Sequence, residues 1–470
     1  MAVLGLDHHP AAEAAFACLV GCVYGGAQRC PWRCEANGVL AMPHLPATSV
    51  FKYLIVAARH AIPGLYRWRI AVSESRIVLI PIRAEPMHRT GKLKAILSGF
   101  LLSFFLACRV MASPALTDGD IQQIVEQEIR RAVDVDKVGA AVAISVDGRM
   151  LFFNFGWADR VAKKPVTTDS LFNLASVSKV FDTTLLSLAV KNGEMSLDDP
   201  VAKYIPELAG GGDIRNITLG ELATFTSGLS LPQDHPPWPP AHYTWPKFIR
   251  YLKRWKIPAD HQRGKQYLYS HAGFLLLHVA LERRFGVPYA RLLEQSLLRP
   301  LNLSSTTLPR RGANLTGVFA PSLKRRAVQG YTGKNEPIGK PGNVQGYYHW
   351  PGTEQMFSSA RDLGKFIGVQ LGGSGDDPHL RGAIDLTHQT VASIRPQVMQ
   401  AQAWEVHYGA ETTIGKNGGL NNTSSYIGMM PGKRLGIAIL INRGELNTWD
   451  VGYTIWSRLV VPERVVPVKE

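Results

Sequence analysis

Residues 171–179 read Leu-Phe-Asn-Leu-Ala-Ser-Val-Ser-Lys. From Val177 to about Asn192 the pattern becomes helical, and Gly193 stops it. Ser176 and Lys179 stand three residues apart, so they share one helix face. Serine is a poor nucleophile until a base takes its proton. Lysine can be that base when burial, a helix N-terminus or a second cation favours its neutral form. The same spacing also describes a solvated lysine beside a capping serine, so the setting must decide.

Outward from this stretch, helix and strand patterns alternate by region. Upstream, Asp120–Val133 places Ile121, Ile124, Val125, Ile129 and Val133 at helical spacing. Val138–Val146 and Met150–Trp157 read as strands joined by Asp147-Gly148, a hairpin turn. Downstream, roughly 195–350 mixes helix with long loop and holds the stiff run Pro236-Pro237-Trp238-Pro239-Pro240. Ser358-Ser359-Ala360-Arg361-Asp362 reads as a capped helix start. Strands return at Ser424–Met430 and Leu435–Ile441 around Pro431-Gly432-Lys433, and a last helix is expected from Thr448 to about Leu459. Strands at both ends around a helical middle predict an α+β fold. The expected architecture is an antiparallel sheet flanked by helices, with an inserted, mostly helical domain. Its sheet part spans about 113–170 and 350–470, its helical part about 171–349.

The chain of 470 residues is 46% hydrophobic and 19% charged, enough for a large core. Its net charge of +15 is compatible with an anionic partner. No zinc-finger spacing, aromatic nucleic-acid motif or long basic block accompanies that charge, so no nucleic-acid partner is expected. Phosphate-binding glycine motifs are absent, which argues against a nucleotide enzyme. Arg310-Arg311 and Lys324-Arg325-Arg326 read as a solvated loop or as a basic rim. All five cysteines (Cys18, Cys22, Cys30, Cys34 and Cys108) precede Ser113. Beyond that point no disulfide or cysteine nucleophile is available. The first four also allow a zinc site, though their flanks carry no partner pattern.

Residues 87–112 have the three parts of a secretory signal. His88, Arg89, Lys92 and Lys94 precede an apolar run from Ala95 to Cys108, and Val110-Met111-Ala112 offers small-residue cleavage before Ser113. That run is shorter than the ~20 residues of a membrane span. A signal works at an N-terminus, so translation is expected to begin at Met87, with 1–86 an over-called upstream extension. The mature domain is then 113–470, periplasmic and without a stable membrane span.

Two further motifs carry chemistry. Tyr269-Ser270-His271 opens an apolar helix running to about Leu281. A phenol near two lysines can serve as base or proton shuttle. Lys416-Asn417-Gly418-Gly419 precedes the C-terminal hairpin. Paired glycines on an edge strand let a substrate backbone lie close, and Lys416 can bind a carboxylate. The backbone N–H groups of Ser176 and Gly419 are candidates for an oxyanion hole.

With these motifs in this order, Ala115–Val461 resembles the class C β-lactamases and their penicillin-binding and esterase relatives. The resemblance runs through Gly156-Trp157-Ala158-Asp159, Lys163-Lys164-Pro165-Val166-Thr167 and Leu171–Lys179. It continues in Gly193–Pro200, Ile217-Thr218-Leu219, Leu222–Leu229, Gly330-Tyr331 and the Ser425–Ile439 hairpin. It implies Ser176 as the acylated nucleophile, Lys179 as its general-base partner, Tyr269 as the catalytic tyrosine and Lys416 as the third-motif lysine. It further implies that Gly418 and Gly419 line the oxyanion hole, Asn447 holds a substrate carboxylate, and Gln233 contacts a substrate amide. Two positions depart from the family pattern: His271 replaces an asparagine, and Asn417 a threonine. An imidazole donates one hydrogen bond and accepts one, so substrate preference is expected to move more than the acyl-serine chemistry.

The expected activity is hydrolysis of β-lactams by a monomer that needs no cofactor. The alternatives are a D-Ala-D-Ala carboxypeptidase or esterase acting on cell-wall peptide or simple esters, and a non-hydrolytic penicillin-binding protein. A weaker expectation is zinc at His271 with His235, His261 or His349.

Overall fold

The computed structural model describes residues 66–73, 76–83, 116–229, 244–311, 317–344, 356–373 and 377–460. The leader-like stretch 87–112, the four early cysteines, the proline run 236–240, Gln233, His235 and His349 lie outside the described residues. The chain divides into two units, Met1–Ala112 and Ser113–Glu470. In the first, strands Tyr66–Ser73 and Arg76–Arg83 pair antiparallel, Ser73 opposite Arg76. The sequence reading named no strand in 1–86. Tyr66, Trp68, Ile70 and Val72 alternate with Arg67, Arg69, Ala71 and Ser73, a period of two with the arginines on its polar side.

The second unit is built on one antiparallel sheet. In chain order its strands are β1 (Gly139–Val146), β2 (Arg149–Asp159), β3 (Lys164–Pro165), β4 (Ala392–Arg395), β5 (Val398–Gln400), β6 (Glu405–His407), β7 (Thr413–Leu420), β8 (Thr423–Met430) and β9 (Leu435–Ile441). Their spatial order is β4-β5-β6-β7-β8-β9-β1-β2-β3. The chain's two ends therefore meet at the β9–β1 pairing, with Ile439 opposite Val142. Everything between β3 and β4 is an excursion from the sheet. Sequence patterning located β1, β2, β8 and β9, whose runs are long and apolar. It missed β4 to β6, which are three or four residues each and too short for a periodic signal.

Strand β1 reads Gly-Ala-Ala-Val-Ala-Ile-Ser-Val because both its faces are covered. On one face Ala140, Val142 and Ile144 pack with Ile121, Ile124, Val125 and Ile129 of the helix Asp118–Ala132, and with Ile455, Trp456 and Leu459 of the last helix, Thr448–Val460. The first helix is started by a reciprocal capping box, Asp120 N donating to Thr117 Oγ1 and Thr117 N to Asp120 Oδ2. Arg458 ties the two helices together, donating to Glu128 Oε1 at 2.9 Å and Gln127 Oε1 at 2.8 Å. On the other face Ala141, Ala143, Ala438 and Leu440 join the larger core, with Phe366 and Ile367 of the helix Ala360–Gln370. Ser359 caps that helix as expected, accepting from Asp362 N.

Gly156 shows how tightly β2 meets the turn before β1. Its φ is +63°, and an added Cβ would lie 2.0 Å from Val138 O and 2.3 Å from Val135 O. Gly156→Ala should therefore cost at least ~2 kcal/mol through strained backbone and collision with fixed carbonyls. The urea midpoint reads this, and a loss under about 0.5 kcal/mol would contradict the packing described.

Candidate active site

The turn that presents Ser176 is built from backbone outward. Phe172-Asn173 pairs with Phe357-Ser358, which sets the chain direction. Asn173 Oδ1 then accepts from Ala175 N at 2.9 Å, a local bond that bends the chain. Ala175 takes φ +46°, a left-handed backbone that alanine rarely adopts, so the turn stores strain. Its surroundings hold it in place. Ser425 Oγ on β8 donates to Leu174 O at 2.7 Å, and Ser178 Oγ donates to Ala175 O at 2.5 Å. A short 3-10 turn, Ala175–Val177, leads directly into the helix Ser178–Lys191.

Two side chains meet at the Ser176 hydroxyl, one from its own segment and one from a distant segment. Tyr269 OH lies 2.7 Å from Ser176 Oγ, and Lys179 Nζ donates to the same oxygen at 3.4 Å. Lys179 is only 2% exposed, one turn along the helix that Ser176 opens. Tyr269 precedes the helix His271–Phe285, whose start is fixed by Ser270 Oγ accepting from Gly273 N at 3.1 Å. Its ring stacks on Phe225 at 4.6 Å. Lys179 Nζ stands 5.4 Å from the Tyr269 ring centre and Lys416 Nζ 5.2 Å. Two ammonium groups thus flank one phenol. Neighbouring Tyr267 is pushed far above the ordinary phenol range, by burial first and then by the Glu405 charge, so it stays neutral.

Lys416 is buried on β7, with Nζ 3.6 Å from Glu405 Oε1 on β6. Burial opposes a charge on Glu405. His407, Lys416 and Arg395 more than offset it and hold the carboxyl below the usual range. Sequence reading missed Glu405 because only the β6–β7 pairing brings it to Lys416. That pairing sets Glu405 opposite Gly415. Phe225 was also given no role, although it holds φ +56° and carries the Tyr269 ring.

The β7 edge completes the site. Strand β6 pairs with Thr413, Ile414 and Gly415, so among the described residues no strand continues along this edge from Lys416 onward. A Cβ on Gly418 would lie 2.4 Å from Leu174 O and 2.8 Å from Ser176 N. Only glycine lets the nucleophile turn sit this close. Gly419 is exposed. The backbone of the turn and that of the strand thus lie against each other at Ser176.

The remaining expected residues fall as follows. His271 opens its helix with its ring edge-on to Tyr269 at 5.0 Å and 86°, so it borders the site. Strand alternation turns Asn417 to the opposite face from Lys416. Asn447 is exposed and engaged in the first turn of the last helix, donating to Asp450 Oδ2 at 2.7 Å and accepting from Trp449 N at 3.2 Å. His261 Nε2 lies 3.1 Å from Thr226 O. Among the described residues no group of three or more His, Cys, Asp or Glu is placed to hold a metal. Nor is any described helix long and apolar enough to cross a membrane.

Because the folded protein holds Glu405 below its ordinary value of 4.5, its contribution to stability is present above that range. It is lost as pH falls through the depressed value. Glu405→Gln should lower the urea midpoint at about pH 7, and the gap should be smaller at about pH 3. An equal gap at both values would contradict the ion pair.

This geometry agrees with similarity to known proteins. The Beta-lactamase family model matches residues 121–453. A β-lactamase from Pseudomonas fluorescens is 27% identical over 363 residues, covering 70% of this chain and 95% of that protein. A solved β-lactamase from Sulfitobacter aligns at TM-score 0.63 and 25% identity, over 74% of this chain and 99% of that one. A solved D-alanine carboxypeptidase from Burkholderia cenocepacia aligns at TM-score 0.61 and 26% identity, over 73% of this chain and 99% of that one. A convergent serine, lysine and tyrosine on this α+β frame, matched by a model over most of the folded unit, place the chain in the β-lactamase family of serine hydrolases.

Proposed function

We propose that the protein hydrolyses β-lactams through an acyl-serine intermediate on Ser176. The 2.7 Å contact between Ser176 Oγ and Tyr269 OH, flanked by Lys179 and Lys416, is the observation that supports this. The Ser176 proton passes to the Tyr269 oxygen, acting as phenolate between the two lysines, as Oγ attacks the lactam carbonyl carbon. Negative charge develops on the carbonyl oxygen, which the N–H groups of Ser176 and Gly419 receive. The two ammonium groups stabilise the negative Tyr269 oxygen before it takes the proton and after it gives it up. The ring C–N bond then breaks, and the departing nitrogen takes that proton. Water attacks the ester carbonyl, gives its proton back through Tyr269, and releases Ser176. Lys416, at the open β7 edge, meets the substrate carboxylate. No metal takes part in this scheme.

His271 beside Tyr269 favours a second reading, cleavage of a D-Ala-D-Ala peptide. The imidazole offers a different donor and acceptor set from an amide at the substrate's side-chain amide. A periplasmic location is part of the proposal and rests on the 87–112 pattern and the Ala112–Ser113 junction.

A panel of cephalosporin, penicillin, carbapenem, simple ester and D-Ala-D-Ala peptide, with and without chelator, tests these readings. Lactam turnover insensitive to chelator is expected. Chelator-sensitive turnover would refute the metal-free scheme. Ester or peptide cleavage without lactam turnover would move the protein to the esterase or carboxypeptidase branch. A stable acyl adduct by mass spectrometry would make it a penicillin-binding trap.

Ser176→Ala should remove acylation and lower turnover by roughly 1,000-fold or more while the fold survives. Turnover that survives the change would refute the nucleophile assignment. His271→Asn should change the ratio of penicillin to cephalosporin turnover by about 10-fold. An unchanged ratio would place His271 outside the pocket.

A further inference from the structure

Behind the site, the helices that carry its parts meet through one polar cluster. Lys179 rides on the helix Ser178–Lys191, and Ser176 on the 3-10 turn that runs into it. His271 opens the helix His271–Phe285, and Tyr269 stands just before its cap, Ser270. Their surroundings are apolar, with Phe181, Leu185, Phe274, Leu277 and Leu281 all in the larger core. Within this interior lies Asp182, 2% exposed and one turn beyond Lys179. Its Oδ2 is 3.0 Å from His278 Nε2, and its Oδ1 accepts from Tyr289 OH at 2.5 Å. His278 is 4% exposed, two turns beyond His271, and its ring stacks on Tyr289 at 3.8 Å and 11°. Tyr289 is itself fixed, its backbone N donating to Glu282 Oε2 at 3.0 Å. Burial and the Asp182 charge push its phenol well above the ordinary range, so it remains a donor.

Burying a carboxylate among apolar side chains is costly unless it is paired. Apolar residues of similar volume can serve a helix contact equally well for stability. They supply no direction, however, because dispersion and burial are indifferent to small slides. Tyr289, tied to the tyrosine helix through Glu282, donates a directional hydrogen bond to Asp182 while the His278 ring packs against the same carboxylate, and a contact of this kind fixes register. The reaction needs such register, since Ser176 Oγ and Tyr269 OH stand at the leading ends of different helices and must stay 2.7 Å apart. Misplacement by about 1 Å costs up to ~100-fold in rate.

We propose that Asp182, held between His278 and Tyr289, is a positioning residue that sets the nucleophile helix against the tyrosine helix. It touches no substrate. The proposal rests on the acyl-serine reading of Ser176.

The test compares the whole purified protein with two variants, Asp182→Asn and the triple Asp182→Leu/His278→Phe/Tyr289→Phe. Single-turnover acylation by a chromogenic cephalosporin, steady-state KM and kcat, and the urea midpoint are measured for each. The asparagine variant should lose about 10-fold or more in acylation, with KM within about 3-fold of the parent. The triple variant, which leaves no polar member unpaired, should recover the urea midpoint but not the acylation rate. Parental stability together with parental acylation in the triple variant would overturn the proposal and leave the cluster a support of the fold. If the triple variant does not fold, parental acylation by Asp182→Asn overturns it equally. Absence of acylation in the parent protein would instead count against the acyl-serine reading.

Discussion

The hydrogen bond from Ser425 Oγ to Leu174 O, 2.7 Å long, fastens the nucleophile turn to the sheet. Beside it, Gly418 leaves no room for a side chain against Leu174 O and Ser176 N. Together they press a strained turn onto the β7–β8 hairpin. The left-handed Ala175 would relax in an isolated peptide. Here Asn173, Ser178 and Ser425 each take a backbone group of the turn. The Ser176 hydroxyl and the Ser176 amide consequently have fixed directions, toward Tyr269 and toward the strand edge. Preorganisation of this kind removes motion that would otherwise have to be frozen during reaction.

Charge is arranged as strictly as backbone. Lys179 and Lys416 are both nearly inaccessible, at 2% and 3% exposure. Two buried ammonium groups near one phenol need a counter-charge, and Glu405 supplies it to Lys416 at 3.6 Å. Lys179 instead faces aromatic rings, Tyr269 and Phe274, at 5.4 and 5.5 Å, where the ring faces attract a cation. The two lysines therefore have different surroundings. Lys416 is anchored by a carboxylate on the open β7 edge. Lys179 points at the serine oxygen from an aromatic wall.

The fold was legible in the sequence wherever the signal was long or chemically marked. The β1–β2 hairpin announced itself through Asp147-Gly148, the first helix through Ile121, Ile124, Val125 and Ile129, and the last hairpin through its apolar runs. Of the site, Ser176, Lys179, Tyr269 and Lys416 were found as motifs, and the structure gathers all four. Short strands such as Glu405–His407 left no periodic trace, so Glu405 was invisible. The Tyr66–Arg83 hairpin was passed over because its second strand is apolar at Ile77, Val78, Leu79, Ile80 and Ile82 and shows no alternation. Asn447 was named by position alone, and its amide is engaged with Asp450 and the last helix. Position in a motif says which residue stands there. It does not say which of its neighbours will take its hydrogen bonds.

That difference explains why the site depends on the whole sheet. The β9–β1 pairing brings the two ends of the chain together, Ile439 against Val142. The excursion between β3 and β4 must then return to the same sheet from which it left. Its first segment carries Ser176, and its interior carries Tyr269. Strand β7, which follows its return, carries Lys416. None of the three can be moved alone, because each is fixed through a different neighbour: β8, Phe225 and β6. Shortness of the β6–β7 pairing then has a positive consequence. Where β6 ends, the β7 backbone from Lys416 to Leu420 keeps an edge that no described strand covers, and the nucleophile turn stands beside it. A substrate backbone laid along that edge would meet strand amides, the Lys416 charge and the Ser176 hydroxyl in one approach.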